Sequence, residues 1–286
     1  MPWLVNRDLP LTSETWLHNF VGELAEKLDD PGLARNETVR DVLAEVMHAQ
    51  SFAELAERAP AAAFALDPVN VTLEAEYYVT TEPEKFASVK PLLWLWKCLD
   101  QTPLGQSAAS GIPIRAALAK RIFKRVGKNF KAWQNVEFSV GYNLEVGDDV
   151  TIHRHVFVDD IGGVVLHDGV SLSDYVNVYS HTHDILNVPD VTFKQTVIGR
   201  GVRVAYHATV LAGTILSDDS MLGAMALATR DLEPHVIGLG VPAKPRVWKE
   251  RAGNPEFVRL KVDASTYARQ PDRRVNPDYT DEQGHS

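Results

Sequence analysis

Between residues 140 and 222 aliphatic side chains recur at every sixth position, and no other feature limits the possible folds of this chain so strongly. Val140, Val146, Ile152 and Val158 keep the count. After a two-residue shift Leu166, Leu172 and Val178 continue it, and after a longer gap Ile198, Val204, Val210, Leu216 and Leu222 resume it. Four residues beyond most of these stands a second small or branched side chain: Leu144, Val150, Val156, Val170, Val176, Val202, Ala208, Thr214, Ser220 and Ala226. A helix repeats at 3.6 residues and a two-faced strand at two, so neither produces a sustained period of six. A short fixed repeat is the mark of a solenoid, in which a brief strand is followed by a sharp corner. "VGDD", "LHDG", "IGRG" and "LSDD" carry the Gly and Asp that such corners require.

The gap in the count is as informative as the count. From Tyr179 the chain reads "YSHTHDILNVPD", and the branched rhythm stops until about Thr196. A solenoid coil can eject a loop without losing its stacking, because each rung bonds to its neighbours. Loops held on a rigid scaffold are where binding and catalytic groups concentrate. Two imidazoles, His181 and His183, are therefore expected to project from an otherwise packed wall.

The N-terminal part has a helical texture. Ser13 precedes the stripe Trp16, Phe20, Leu24 and Leu28; Asn36 precedes Val39, Val42, Leu43, Val46 and Met47; Ser51 and Glu54 have the spacing of a capping box. "VTLEAEYYV" (71–79) reads as an isolated strand, and a helix over "FASVKPLLWLWKCLD" must start or kink at Pro91. Residues 101–136 hold seven basic side chains and no acid. This run is either a solvated helix face or an electrostatic guide for an anionic substrate or membrane surface.

Composition excludes several classes. With 45% hydrophobic and 23% charged residues over 286 positions, the chain is globular. A net charge of −9 argues against nucleic acid as a partner. One cysteine, Cys98, permits no intrachain disulfide, and together with the lack of a signal-peptide pattern it points to the cytoplasm. "PLLWLW" is far too short for a transmembrane segment.

The repeat resembles that of the hexapeptide-repeat acyltransferases, and over about residues 118–250 the resemblance implies a mainly β fold, a left-handed parallel β-helix. With the helical texture ahead of it, the chain divides into a mostly α-helical N-terminal region over 1–117, a β-helix over 118–250 and a polar C-terminal tail over 251–286. "NVYSHTHDIL" is similar to the segment bearing the catalytic histidine of maltose and galactoside O-acetyltransferases. Aligned on "VNV", the general base falls on His183, with His181 two positions earlier; histidine suits the task because its ordinary pKa lies near neutrality. "IHRHVFVDD" resembles the acceptor-binding segment, which places Asp160 and His153 at the acceptor beside His181, although histidines stand here in place of the family's asparagines. "VRVAYHATVLAG" and "LGAMALATRDLEPHVIGLGVPAK" resemble the last coils and closing motif. By that likeness Ala205 and Ala224 lie along the pantetheine of acetyl-CoA, with Thr229, Arg230 and Lys244 near its phosphates. Tyr206 and Met225 stand where small residues are usual. The resemblance also implies a homotrimer with each active site at a subunit boundary. With Cys98 far away in the helical part, direct acetyl transfer to a sugar or glycan hydroxyl in a ternary complex is expected.

Rival readings remain alongside this one. Seven histidines between 153 and 235 raise zinc-dependent hydration of the carbonic-anhydrase type, with His181, His183 and His207 as candidate ligands. The His-x-His spacing and the closing acyltransferase motif speak against it, so no metal is expected. Serine acetyltransferase has similar length, but its Asp–His pair has no evident counterpart in the sequence. Amino-sugar N-acyltransferases share the fold. A non-catalytic scaffold is opposed by the loop histidine together with Arg230 and Lys244.

Overall fold

A computed structural model of the chain describes residues 9–78, 80–187, 190–248 and 273–275. Helices fill the first part: α1 (Leu11–Asp29), α2 (Arg35–His48), α3 (Phe52–Arg58), α4 (Pro60–Leu66), α5 (Pro83–Leu99), α6 (Pro103–Gln106) and α7 (Ala108–Ile122). The capping box at α3 forms as its sequence predicts. Ser51 Oγ accepts from the Glu54 N–H, and a Glu54 carboxylate oxygen accepts from the Ser51 N–H. The starts of α1 and α2 differ from expectation, since Pro10 and Ala34 occupy the cap positions with no side-chain cap. In α1 the buried stripe is Leu17, Leu24 and Leu28, whereas Trp16 is exposed and stacks on Phe20. Pro91 lies inside α5, which begins at Pro83. The strand expected at 71–79 is instead a 3-10 turn over Glu74–Tyr77, held by Glu76, whose carboxylate accepts from the Leu73 N–H at 2.7 Å.

From Arg125 onward the chain winds into a parallel β-helix with three faces. The first and third faces are five strands deep, and the second has seven, the last of them the antiparallel strand Lys244–Trp248. All twelve positions of the six-residue count are buried, and so are the ten positions four residues beyond. Each six-residue repeat turns two positions inward, as many as a narrow stacked core can hold, so the period of the sequence is the period of the walls. Corner residues are forced into left-handed backbone at Asn135, His155, Tyr175, His207 and Met225. Flat rings stack on one another along that edge, His155 on Tyr175 and Tyr175 on His207, each at 4.7 Å.

The helical part is fastened to the top coil. Trp96 Nε1 donates to the Val136 carbonyl at 2.8 Å, and the Asn135 N–H donates to the Asp100 carboxylate at 2.9 Å. Trp96, Phe123, Phe130 and Phe138 pack edge-on or tilted against one another, so helices and β-helix share one hydrophobic core. The basic run resolves toward structure. Arg115 is buried in an ion pair with Asp100, Arg121 pairs with Asp29, and Lys124 and Arg125 both reach Glu145. Most of its cations are thus matched within the chain, which leaves little field for guiding an anion.

The interruption is a hairpin. His181–His183 runs antiparallel to Val191–Phe193, pairing His181 with Phe193 and His183 with Val191. Arg273–Val275 adds a third strand on the far edge of Val191–Phe193. A segment expected to trail as a polar tail therefore contributes main chain to this sheet; the rest of that tail lies outside the described residues. Among the described residues no helix is long and apolar enough to cross a membrane.

Candidate active site

Three consecutive rungs of the third face set up the hairpin. Phe138, Val158 and Val178 are in register, so Ser139, Asp159 and Tyr179 follow one another down the same corner. Asp159 is almost wholly buried there, and its carboxylate gathers donors from above and below. Ser139 Oγ donates to Oδ1 at 3.1 Å, and the Ser180 N–H donates to Oδ2 at 2.9 Å. The same Oδ2 lies 2.6 Å from His181 Nδ1. Burial opposes the charge on Asp159, but the bonds from His181 and Ser180 prevail and hold its pKa below the usual carboxylate value. In return the hydrogen bond that His181 donates to Asp159 raises the pKa of His181, against partial desolvation.

His183, two residues on, is exposed, and its ring stands nearly perpendicular to that of His181 at 5.3 Å. The hairpin thus offers two neighbouring imidazoles, one oriented by a buried carboxylate. Backbone bonds fix its root: the Lys194 N–H donates to the Ser180 carbonyl at 2.8 Å, and the Gly162 N–H donates to Ser180 Oγ at 2.8 Å. Gly162 lies so close that an added Cβ would sit 2.0 Å from the Ser180 carbonyl oxygen. At the tip, Asp184 accepts from the N–H groups of Leu186 and Asn187, leaving the Ile185 and Leu186 side chains more than nine-tenths exposed.

Asp160 lies deeper. It is completely buried, with the N–H groups of Val140 and Asn143 donating to its two oxygens at 2.9 and 3.2 Å. Burial pushes it up to about 6 in spite of those donors. Its oxygens serve the turn over residues 140–143, and no surface of Asp160 is open to an acceptor. His153 stands on another corner, at the end of the second face, with its ring parallel to Trp133 at 5.9 Å. Burial lowers its pKa.

The expected donor-site residues fall on both corners. Strand register puts Ala205 beside Gly223, next to Ala224, two rungs below His153. Ala205 is half-buried and Ala224 exposed. Thr229 and Arg230 follow the strand Leu227–Ala228 on the third-face corner, two rungs below Tyr179. Lys244 opens the closing antiparallel strand, where the Ala243 N–H donates to the Leu227 carbonyl. Tyr206 and Met225 are exposed beside the alanines, and Tyr206 stands perpendicular to His207 at 4.2 Å. The third face separates the two groups of residues. Cys98 is buried in α5, and desolvation pushes its thiol up to about 12, so it cannot act as a ready nucleophile. His207 is engaged in the ring stack, and among the described residues no group of three or more His, Cys, Asp or Glu could hold a metal ion.

Sequence reasoning missed the Asp159–His181 pair, although the chain contains the signal. One rung in this part spans twenty residues, as in Phe157 beside Asn177. A residue about that far after an acidic corner is a neighbour in space, and His181 comes 22 after Asp159.

No protein-family model matches the chain. A galactoside O-acetyltransferase of Escherichia coli (strain K12) is 27% identical over 188 residues, covering 64% of this chain and 89% of that protein. A solved hexapeptide-repeat acetyltransferase from Vibrio cholerae O1 biovar eltor, complexed with acetyl-CoA, superposes with a TM-score of 0.52 at 18% identity, over 64% of this chain and 99% of the other. The chain is thus similar to hexapeptide-repeat acetyltransferases, in sequence to the first and in fold to the second. A second relative is the dTDP-4-amino-4,6-dideoxy-D-glucose acyltransferase of Escherichia coli, 27% identical over 155 residues, 43% of this chain and 81% of that protein. Both relatives carry acyl-transfer names, one for an oxygen acceptor and one for an amino sugar.

Proposed function

We propose that this protein is an acetyl-CoA-dependent O-acetyltransferase acting on a hydroxyl of a sugar or glycan. The observation that carries the reading is the hairpin: the wall of a packed β-helix opens once, and it opens to present His181 and His183 above the coils that hold Arg230 and Lys244. The likeness to a galactoside O-acetyltransferase over 188 residues supports the oxygen acceptor.

In this reading His183 takes the proton of the acceptor hydroxyl as its oxygen attacks the thioester carbonyl. A C–O bond forms, the C–S bond breaks, and the departing thiolate of coenzyme A recovers the proton. The donor would lie along Ala205 and Ala224, whose small side chains leave the backbone open, with Thr229, Arg230 and Lys244 taking its phosphates. Asp160 would act on the acceptor only through the turn it secures, while His153 and His181 would contact it.

The two groups of residues lie on different edges of the third face. A homotrimer packed edge to edge would unite them, and a neighbouring copy would cover Ile185 and Leu186. The single cysteine, buried as a thiol, suits the cytoplasm.

A second assignment of the base is favoured by one observation. His181 is held by a buried carboxylate through Nδ1, the arrangement that fixes the tautomer and aim of a catalytic imidazole. In that variant His181 takes the proton and His183 contacts the acceptor.

The test is to incubate the protein with acetyl-CoA and either a galactoside or an amino sugar, following thiol release and the product. The expected product is an alkali-labile ester formed from the galactoside. An alkali-stable amide, formed only from the amino sugar, would overturn the oxygen-acceptor reading.

A further inference from the structure

A cavity of about 220 Å³ lies where the helical part meets the third face of the β-helix. Glu74 and Tyr78 come from the 3-10 segment and its end, Lys97 from α5, and Glu137, Ser139 and Phe157 from the first two coils. Its chemistry is mixed in a specific way. The Tyr78 hydroxyl donates to Glu74 at 2.5 Å, and Lys97 Nζ donates to Glu137 at 2.5 Å. Burial, with Glu74 alongside, pushes the Tyr78 hydroxyl up to about 12, so it stays a neutral donor.

These walls discriminate between ligand classes. Two carboxylates against one ammonium repel a phosphate or carboxylate ligand. The polar groups share the walls with apolar ones such as Leu93, Trp96 and Phe138, so a ligand carrying both hydroxyls and an apolar face suits the cavity better than a bare hydrocarbon chain. A neutral polyhydroxylated ring fits: its hydroxyls bond to Glu74, Glu137 and Lys97, and its C–H face lies on Tyr78 or Phe157. The volume admits one such ring and little more.

The cavity is also joined to the hairpin. Ser139 in its wall donates to Asp159, and Asp159 holds His181. Phe157 meets the ring of Tyr179, the residue from which the hairpin departs, at 6.0 Å. Ser139 and Tyr179 are two rungs apart on one corner, about 10 Å at the usual strand spacing.

We propose that this cavity binds the distal, non-reacting ring of the acceptor, so that the acceptor is a glycoside of at least two rings, read jointly by the helical region and the β-helix. The inference rests on the sugar O-acetyltransferase reading above.

Binding measured by calorimetry on the full chain, without acetyl-CoA, keeps the two claims separate. The probes are lactose, maltose and cellobiose, each against the methyl glycoside of its reacting sugar. At least one disaccharide is expected to bind about tenfold tighter than its methyl counterpart. That gap should shrink toward parity in Tyr78→Ala and narrow in the milder variant Glu74→Gln. No disaccharide preference in any of the three pairs, or a preference untouched by both substitutions, would overturn the proposal. A preference seen in a protein that releases no thiol from acetyl-CoA would uphold the cavity and count against the transferase reading alone.

Discussion

The β-helix wall and the hairpin that leaves it are built by opposite rules within one stretch of chain. In the wall, Ile152, Leu172 and Val204 point inward and are fully buried, and parallel rungs satisfy one another's backbone. In the hairpin the strands turn antiparallel, His183 faces outward, and the deep anchor is the carboxylate of Asp159. Under the proposed function, stability and chemistry are carried by separate groups. A substitution in one region should move stability with little change in turnover, and a substitution in the other should do the reverse.

The largest effect on the wall side is expected from Leu172→Ala. It removes a fully buried side chain from the stacked core, at a cost of about 2–5 kcal/mol. Denaturant unfolding should show that loss, while kcat measured well below the transition stays near the wild-type value. If kcat falls in step with stability, the wall and the hairpin are not separable.

At the joint between them, Gly162→Ala should act on both stability and chemistry. Its new Cβ would meet the Ser180 carbonyl and push the hairpin root aside, with a loss of kcat of about 10²-fold. The melting temperature should fall as well, because the clash is with backbone, so kcat is compared well below the transition, where an unchanged kcat would contradict the role of the root.

Asp159→Asn should lower kcat about tenfold by loosening His181. It also carries a pH signature. His181 has its folded pKa raised, so the pairing contribution is fully present below the unfolded histidine value of about 6.5 and fades as pH rises through the folded one. Asp159 has its folded pKa lowered, so its contribution is present above about 3.9 and is lost as pH falls through the folded value. The difference in melting temperature between wild type and Asp159→Asn should be widest between those limits and narrower in alkaline buffer. A difference that widens toward alkaline pH would contradict the pairing.

The smallest effect sharpens the contrast from the far end of the molecule. Ser51→Ala removes the α3 cap and should cost about 1 kcal/mol in denaturant unfolding, with no change in turnover.

What could be read from the chain follows the same division. Wall positions are legible because the restraint is local and repeated: each repeat turns the same two positions inward, and an aliphatic side chain appears at every sixth residue. The hairpin was legible as a break in that count, and the capping box at Ser51 as a local motif. Its third strand was not, because Arg273–Val275 pairs with residues far away in the chain and carries no periodic signal of its own. The segment 71–79 misled for a different reason. Its branched and aromatic residues suit a strand, but Glu76 and Glu74 bond back within the segment, to the Leu73 N–H and the Tyr78 hydroxyl, and close a turn. Asp160 matched a family motif in sequence, yet its burial depends on how the turn at 140–143 closes over it.

The most direct measurement of the central claim is acceptor-dependent thiol release from acetyl-CoA by wild type, His183→Ala and His181→Ala under one set of conditions. The account predicts a loss of about 10²–10⁴-fold in kcat for His183→Ala with its melting temperature kept, and a smaller loss for His181→Ala. Wild-type turnover in His183→Ala would contradict it.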